Sequence, residues 1–88
     1  MKVVIRKRFF KNSSLLKSKE LLDELLFLFE LVENAKNENE IPGFKYLKGY
    51  TNFARIQLGK FRIGVLVQDE TITFICLLNR NSVYREFP

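Results

Sequence analysis

The apolar and polar positions of this chain change period several times, and each change marks an element. Val3, Val4 and Ile5 form a short β-branched run, which predicts a strand. A helical region follows in two pieces, with breaks offered near Asn12-Ser13-Ser14 or at Ser18. The second piece, residues 18–35, has the clearest periodicity. Ser18 is a suitable cap, and Leu21, Leu22, Leu25, Leu28, Phe29 and Val32 recur at helical spacing. At ~100° per residue, Glu20, Asp23, Glu24, Glu30 and Asn34 fall on the opposite face. Phe27 and Leu31 interrupt that polar face. They either pack under the first helix as a helical hairpin or form a docking stripe for a partner.

Residues 37–50, with Pro42, Gly43 and Gly49, predict a loop or a single turn. Three strands follow. Residues 53–58 and 61–67 alternate, whereas residues 71–78 are almost continuously apolar, as in a central strand covered on both faces. Gly59-Lys60 is a two-residue hairpin loop with glycine first, the signal for a type II′ turn. That turn sets Leu58 opposite Phe61, Gln57 opposite Arg62, Ile56 opposite Ile63, Arg55 opposite Gly64 and Ala54 opposite Val65. The apolar residues then share one face. Arg55, Gln57 and Arg62 share the other, around a hollow at Gly64. Asp69-Glu70 makes the next turn, and Val83 and Phe87, four apart, suit a terminal helical turn on the sheet. The expected fold class is α+β in a single domain, residues 1–88: an N-terminal strand, a helical hairpin, a three-stranded antiparallel meander and a short tail.

Charge adds a functional constraint. The 88 residues carry a formal net charge of +5. Residues 1–19 hold seven basic side chains and no acid; residues 20–40 hold seven acids against Lys36 alone. Residues 41–68 then carry Lys45, Lys48, Arg55, Lys60 and Arg62 without a carboxylate, which reads as a surface kept clear for phosphate. The chain has no histidine, the commonest metal ligand and general base, so a metal site is not expected. Its single cysteine, Cys76, lies in an apolar run and reads as a core residue. The N-terminal residues build no signal-peptide core, and Asp23, Glu24 and Glu30 interrupt the apolar run of residues 21–32. Cytosolic location without membrane contact is therefore expected.

Arginine matches phosphate with a planar two-donor fork, and Tyr50, Phe53 and Tyr84 offer faces for bases. Without a metal, RNA is still cleavable by its own 2′-OH, given cations for the developing charge and a proton acceptor and donor. Arg62 and Arg80 suit the first task and Tyr84 the second. On spacing alone, plain RNA binding is favoured over catalysis.

Two segments carry a family likeness: Leu47-Lys48-Gly49-Tyr50-x-x-Phe53-x-Arg55-x-x-x-Gly59-x-Phe61-Arg62-Ile63, and Asn79-Arg80-x-x-Val83-Tyr84-x-x-Phe87-Pro88. Their order and spacing resemble the RelE/ParE superfamily of bacterial toxins, and the preceding strand and helices match as well. The resemblance implies a β-α-α-β-β-β toxin of a type II toxin–antitoxin pair, bound by a cognate antitoxin and needing no cofactor. In the RelE branch it further implies cleavage of mRNA on the ribosome. By position, Arg62 and Arg80 match phosphate-stabilising arginines, Arg55 a basic substrate contact, and Tyr84 a tyrosine that stacks on a base or assists proton transfer. Lys48, Gln57 and Lys60 complete the expected RNA-binding face, and Phe27 and Leu31 are the expected antitoxin contacts. Gln57 departs from the basic residue, and Asn79 from the histidine, found in many members. The alternatives are a ParE-like DNA gyrase inhibitor and a catalytically weakened toxin that only binds its antitoxin.

Overall fold

A computed structural model describes residues 1–88, with the side chains of residues 83 and 84 outside the described set. Strand β1 (Lys2–Ile5) leads into helix α1 (Lys7–Asn12), a 3-10 turn (Ser13–Leu15) and helix α2 (Lys19–Asn34). Both expected breaks are used. The serine pair forms the 3-10 turn, and the Ser18 hydroxyl accepts the Leu21 N–H at 3.3 Å, capping α2. Strands β2 (Phe44–Tyr46), β3 (Phe53–Leu58), β4 (Phe61–Gln68) and β5 (Thr71–Asn79) follow, then one helical turn, α3 (Val83–Glu86).

The strands form one five-stranded sheet in the order β1-β5-β4-β3-β2. Strand β1 runs parallel to β5 and the other neighbours are antiparallel. Residues 37–50 are therefore not all loop: β2 pairs Phe44 with Ile56 and Tyr46 with Ala54, extending the meander to four strands. Gly43 makes this possible. It takes φ +75°, which strains any other residue, and its carbonyl accepts the Gln57 N–H at 3.1 Å, so the backbone enters the sheet edge where a Cβ would crowd Gln57 at 3.2 Å.

The β3–β4 register is the one expected, from Leu58 opposite Phe61 to Ala54 opposite Val65. Gly59 has φ +57° while Lys60 is not in the left-handed region, which is the type II′ arrangement. One register shift was not expected. Gly64 pairs with Cys76 and Val65 with Phe74, leaving Ile75 as the extra residue of a β-bulge.

The main core lies between the helices and one sheet face. Phe9 of α1 and Leu25, Leu28 and Val32 of α2 bury against Ala54, Ile56, Ile63, Val65, Ile72, Phe74 and Leu77. At its centre the rings of Phe9, Phe29 and Phe74 meet edge to face, with centroids 4.9–6.1 Å apart. A smaller apolar cluster occupies the opposite face, where Cys76, Leu78 and Phe87 are buried together. The bulge supplies it, since Ile75 and Cys76 both pack there. Burial raises the Cys76 thiol pKa, consistent with a core cysteine. Among the described residues, no helix is long and apolar enough to cross a membrane.

Candidate nucleic-acid interface

The sheet face opposite the helices is built by strand alternation. Cross-strand pairing sets Lys45 beside Arg55, Arg55 beside Gly64, and Gln57 beside Arg62. A cationic strip thus runs across β2, β3 and β4. Lys45, Tyr46, Leu47, Lys48 and Arg55 line a surface cavity of about 310 Å³ at its β2 end. Tyr46 was not singled out from the sequence, and Lys45 entered there only as one of the cations of residues 41–68. The only signal was the unbroken basic run, since a three-residue strand is too short to show a period. The Tyr46 hydroxyl pKa is raised by partial burial, and further by its hydrogen bond to, and the charge of, Glu38.

At the other end the strip converges on the β3–β4 turn. Arg62 bends back along it, its Nη1 donating to the carbonyls of Gly59 at 3.0 Å and Phe61 at 2.9 Å. Its Nε is buried without a partner, an unsatisfied donor on an otherwise well-anchored guanidinium. The backbone N–H of Arg80 donates to Lys60 at 3.1 Å, so the chain leaving β5 is tied to the same turn. Lys60 itself holds its ammonium 5.8 Å from the Phe61 ring centroid. Arg80, distant in sequence, is thus brought to the corner of the sheet that holds Lys60 and Arg62. An exposed ion pair joins Arg8 to Glu86 at 3.9 Å.

Two expectations change. The hollow at Gly64 is occupied, because the Phe87 ring lies directly over the glycine. Phe27 and Leu31 do not form one stripe either. Phe27 is 64% exposed, whereas Leu31 is partly buried against the main core. Leu22, Leu26 and Phe27 face outward, whereas Leu31 packs against the core that the sheet and helices enclose. Tyr84 sits in α3, and its side chain lies outside the described residues.

The same face also has an apolar end. Phe53, Leu66 and Ile75, with Arg6, Lys7 and Arg8 at the rim, line a groove of about 470 Å³. The basic block of residues 1–19 was legible in the sequence, but its placement beside β4 and β5 was not.

No protein-family model matches the chain. A relative described as Toxin RelE3, from Methanocaldococcus jannaschii, is 34% identical over 89 residues and the alignment covers 100% of both chains. The chain belongs to the RelE family of toxins. Solved RelE-family structures share its fold. The crystal structure of a RelB-RelE antitoxin–toxin complex from Methanococcus jannaschii is similar at 30% identity and a TM-score of 0.80, covering 97% of this chain and 99% of that one. The archaeal RelE-RelB complex from Pyrococcus horikoshii OT3 is similar in fold at 23% identity and a TM-score of 0.71, covering 90% and 93%. Escherichia coli YafQ shares the fold at 12% identity and a TM-score of 0.65, covering 93% and 96%. The likeness read from the Leu47–Phe87 motifs therefore extends over the whole chain.

Proposed function

We infer that this RelE-family chain is the toxin of a toxin–antitoxin pair and acts by cutting mRNA on the ribosome. The observation that carries this reading is the convergence of Arg62 and Arg80 on the Gly59-Lys60 turn, at the corner of a face whose strands β2, β3 and β4 bear no carboxylate. In the step inferred, the substrate's 2′-OH attacks the adjacent phosphorus and the bond to the departing 5′-oxygen breaks. The attacking hydroxyl loses a proton and the leaving oxygen gains one, giving a cyclic phosphate and a 5′-hydroxyl. The guanidinium groups of Arg62 and Arg80 neutralise charge that grows on the phosphate oxygens. Tyr84 is the candidate for proton transfer or base stacking. Lys48, Arg55, Gln57 and Lys60 contact the RNA on either side, and Gln57, being neutral, contributes hydrogen bonds without charge.

The antitoxin partner follows from the family and from the company its relatives keep in their complexes. Its contact is assigned to Phe27, together with exposed Leu22 and Leu26, and Leu31 supports that patch from below.

The test is primer-extension mapping of an mRNA in a cell-free translation reaction, with the protein and with Arg62→Ala, each with and without ribosomes. Cuts that require ribosomes and vanish with Arg62→Ala are expected. Intact mRNA with the unaltered protein would overturn the nuclease reading and favour a chain that only binds its antitoxin.

A further inference from the structure

The C-terminal turn is fastened to the cationic face at two points. At one end the Arg80 N–H holds the Lys60 carbonyl at 3.1 Å. At the other, the ring of Phe87 is 7% exposed and sits on Gly64. Gly64 is not among the glycines with positive φ, so its backbone conformation does not itself require glycine. What the position cannot accept is a side chain. A Cβ added at Gly64 would lie 2.7–2.8 Å from three carbons of the Phe87 ring. The ring also meets Phe53 edge to face at 5.5 Å and 87°, and it is buried with Cys76 and Leu78. The bulge that delivers Ile75 and Cys76 to this face therefore builds the floor of the seat. Between the two anchors, the Arg85 and Glu86 N–H groups both donate to Ser82 at 3.0 Å, closing α3. Glu86 adds only an exposed, long ion pair to Arg8, so the ring is the principal anchor at this end.

Alternation in β4 places Gly64 on the same face as Arg62, one pleat away. The seat therefore sets where α3 stands relative to the Arg62 guanidinium. We propose that Phe87 is a positioning residue, which acts through Gly64 to hold the Arg80–Glu86 turn against Arg62 in the cleavage geometry. The proposal rests on the nuclease reading for its catalytic consequence, while its structural half stands independently.

The experiment combines backbone relaxation by NMR with cutting kinetics for the whole protein. In the unaltered protein, the Arg85 and Glu86 amides should show rigid order parameters of about 0.85, falling below about 0.6 in Phe87→Ala while β4 and β5 stay rigid. The cutting rate should fall at least ~10-fold through kcat with little change in KM, since a misplaced group costs rate more than binding. Gly64→Ala should loosen the same two amides by displacing the ring, and Gly64→Ala combined with Phe87→Leu should restore them in part. Rigid Arg85 and Glu86 amides in Phe87→Ala would overturn the anchor. Loose amides with an unchanged cutting rate would overturn the positioning role. Should the unaltered protein itself leave mRNA intact, the nuclease reading fails, and the order parameters still decide the anchor.

Discussion

Asn12 closes an exposed stretch of sheet edge, and its removal has a calculable cost. Strand β1 covers β5 only as far as the pair Ile5–Phe74, with the Arg6 N–H donating to the Phe74 carbonyl at 2.9 Å. Beyond that point the fully buried Leu77 has no strand on its β1 side. Its N–H is satisfied by the side-chain oxygen of Asn12 at 3.1 Å. Asn12→Ala removes the acceptor and leaves a backbone donor facing α1. A lost hydrogen bond to a partly buried group with an orphaned partner costs about 1.5–2 kcal/mol. For a domain of this length that corresponds to a fall in Tm of about 8–12 °C. Asn12→Asp keeps an acceptor at the same reach, so it should stay within about 0.5 kcal/mol of the parent near neutral pH. Urea denaturation of the three proteins measures the difference, and hydrogen exchange at Leu77 locates it. If Asn12→Ala and Asn12→Asp have equal stability and Leu77 exchange is unchanged, water serves the N–H equally well and the reasoning fails.

Three further outcomes are expected. Asp69 and Glu70 both occupy the left-handed region, at φ 52° and 60°, forming the β4–β5 turn without a glycine. Glu70→Gly should therefore stabilise the protein by about 0.5–1 kcal/mol, the relieved strain being partly offset by a freer unfolded chain; a lower urea midpoint would contradict this. Cys76 is fully buried and its thiol pKa is raised by that burial, so thiol reagent should label it at neutral pH only as the protein unfolds. Because the folded-state value is the higher one, the associated stability is present below the ordinary value of 9.0 and is lost as pH rises through the folded-state value. Cys76→Ala should flatten that decline in alkaline denaturation curves.

Local chemistry made most of this fold readable in advance. Ser18 capped the long helix, the Gly59-Lys60 turn set the five cross-strand pairs from Leu58–Phe61 to Ala54–Val65, and the apolar run of β5 announced a central strand. Each depends on residues close in the chain, so period and turn geometry suffice. The same holds for the cationic strip of Arg55 and Arg62, which alternation and one turn place together with Gln57. Strand β2 escaped because three residues are too few to show a period, and its pairing depends on Gly43 approaching Gln57 from outside the hairpin. The bulge at Ile75 escaped because an unbroken apolar strand has no alternation to interrupt. Tertiary structure alone decided which side chain fills the space above Gly64. Phe87 reaches it only after the tail is tied to Lys60 and crosses β4, a contact between residues 23 positions apart that no local pattern encodes. The division of Phe27 from Leu31 has the same origin, because the sheet under α2, and not the helix period, determines which side of a polar face is covered.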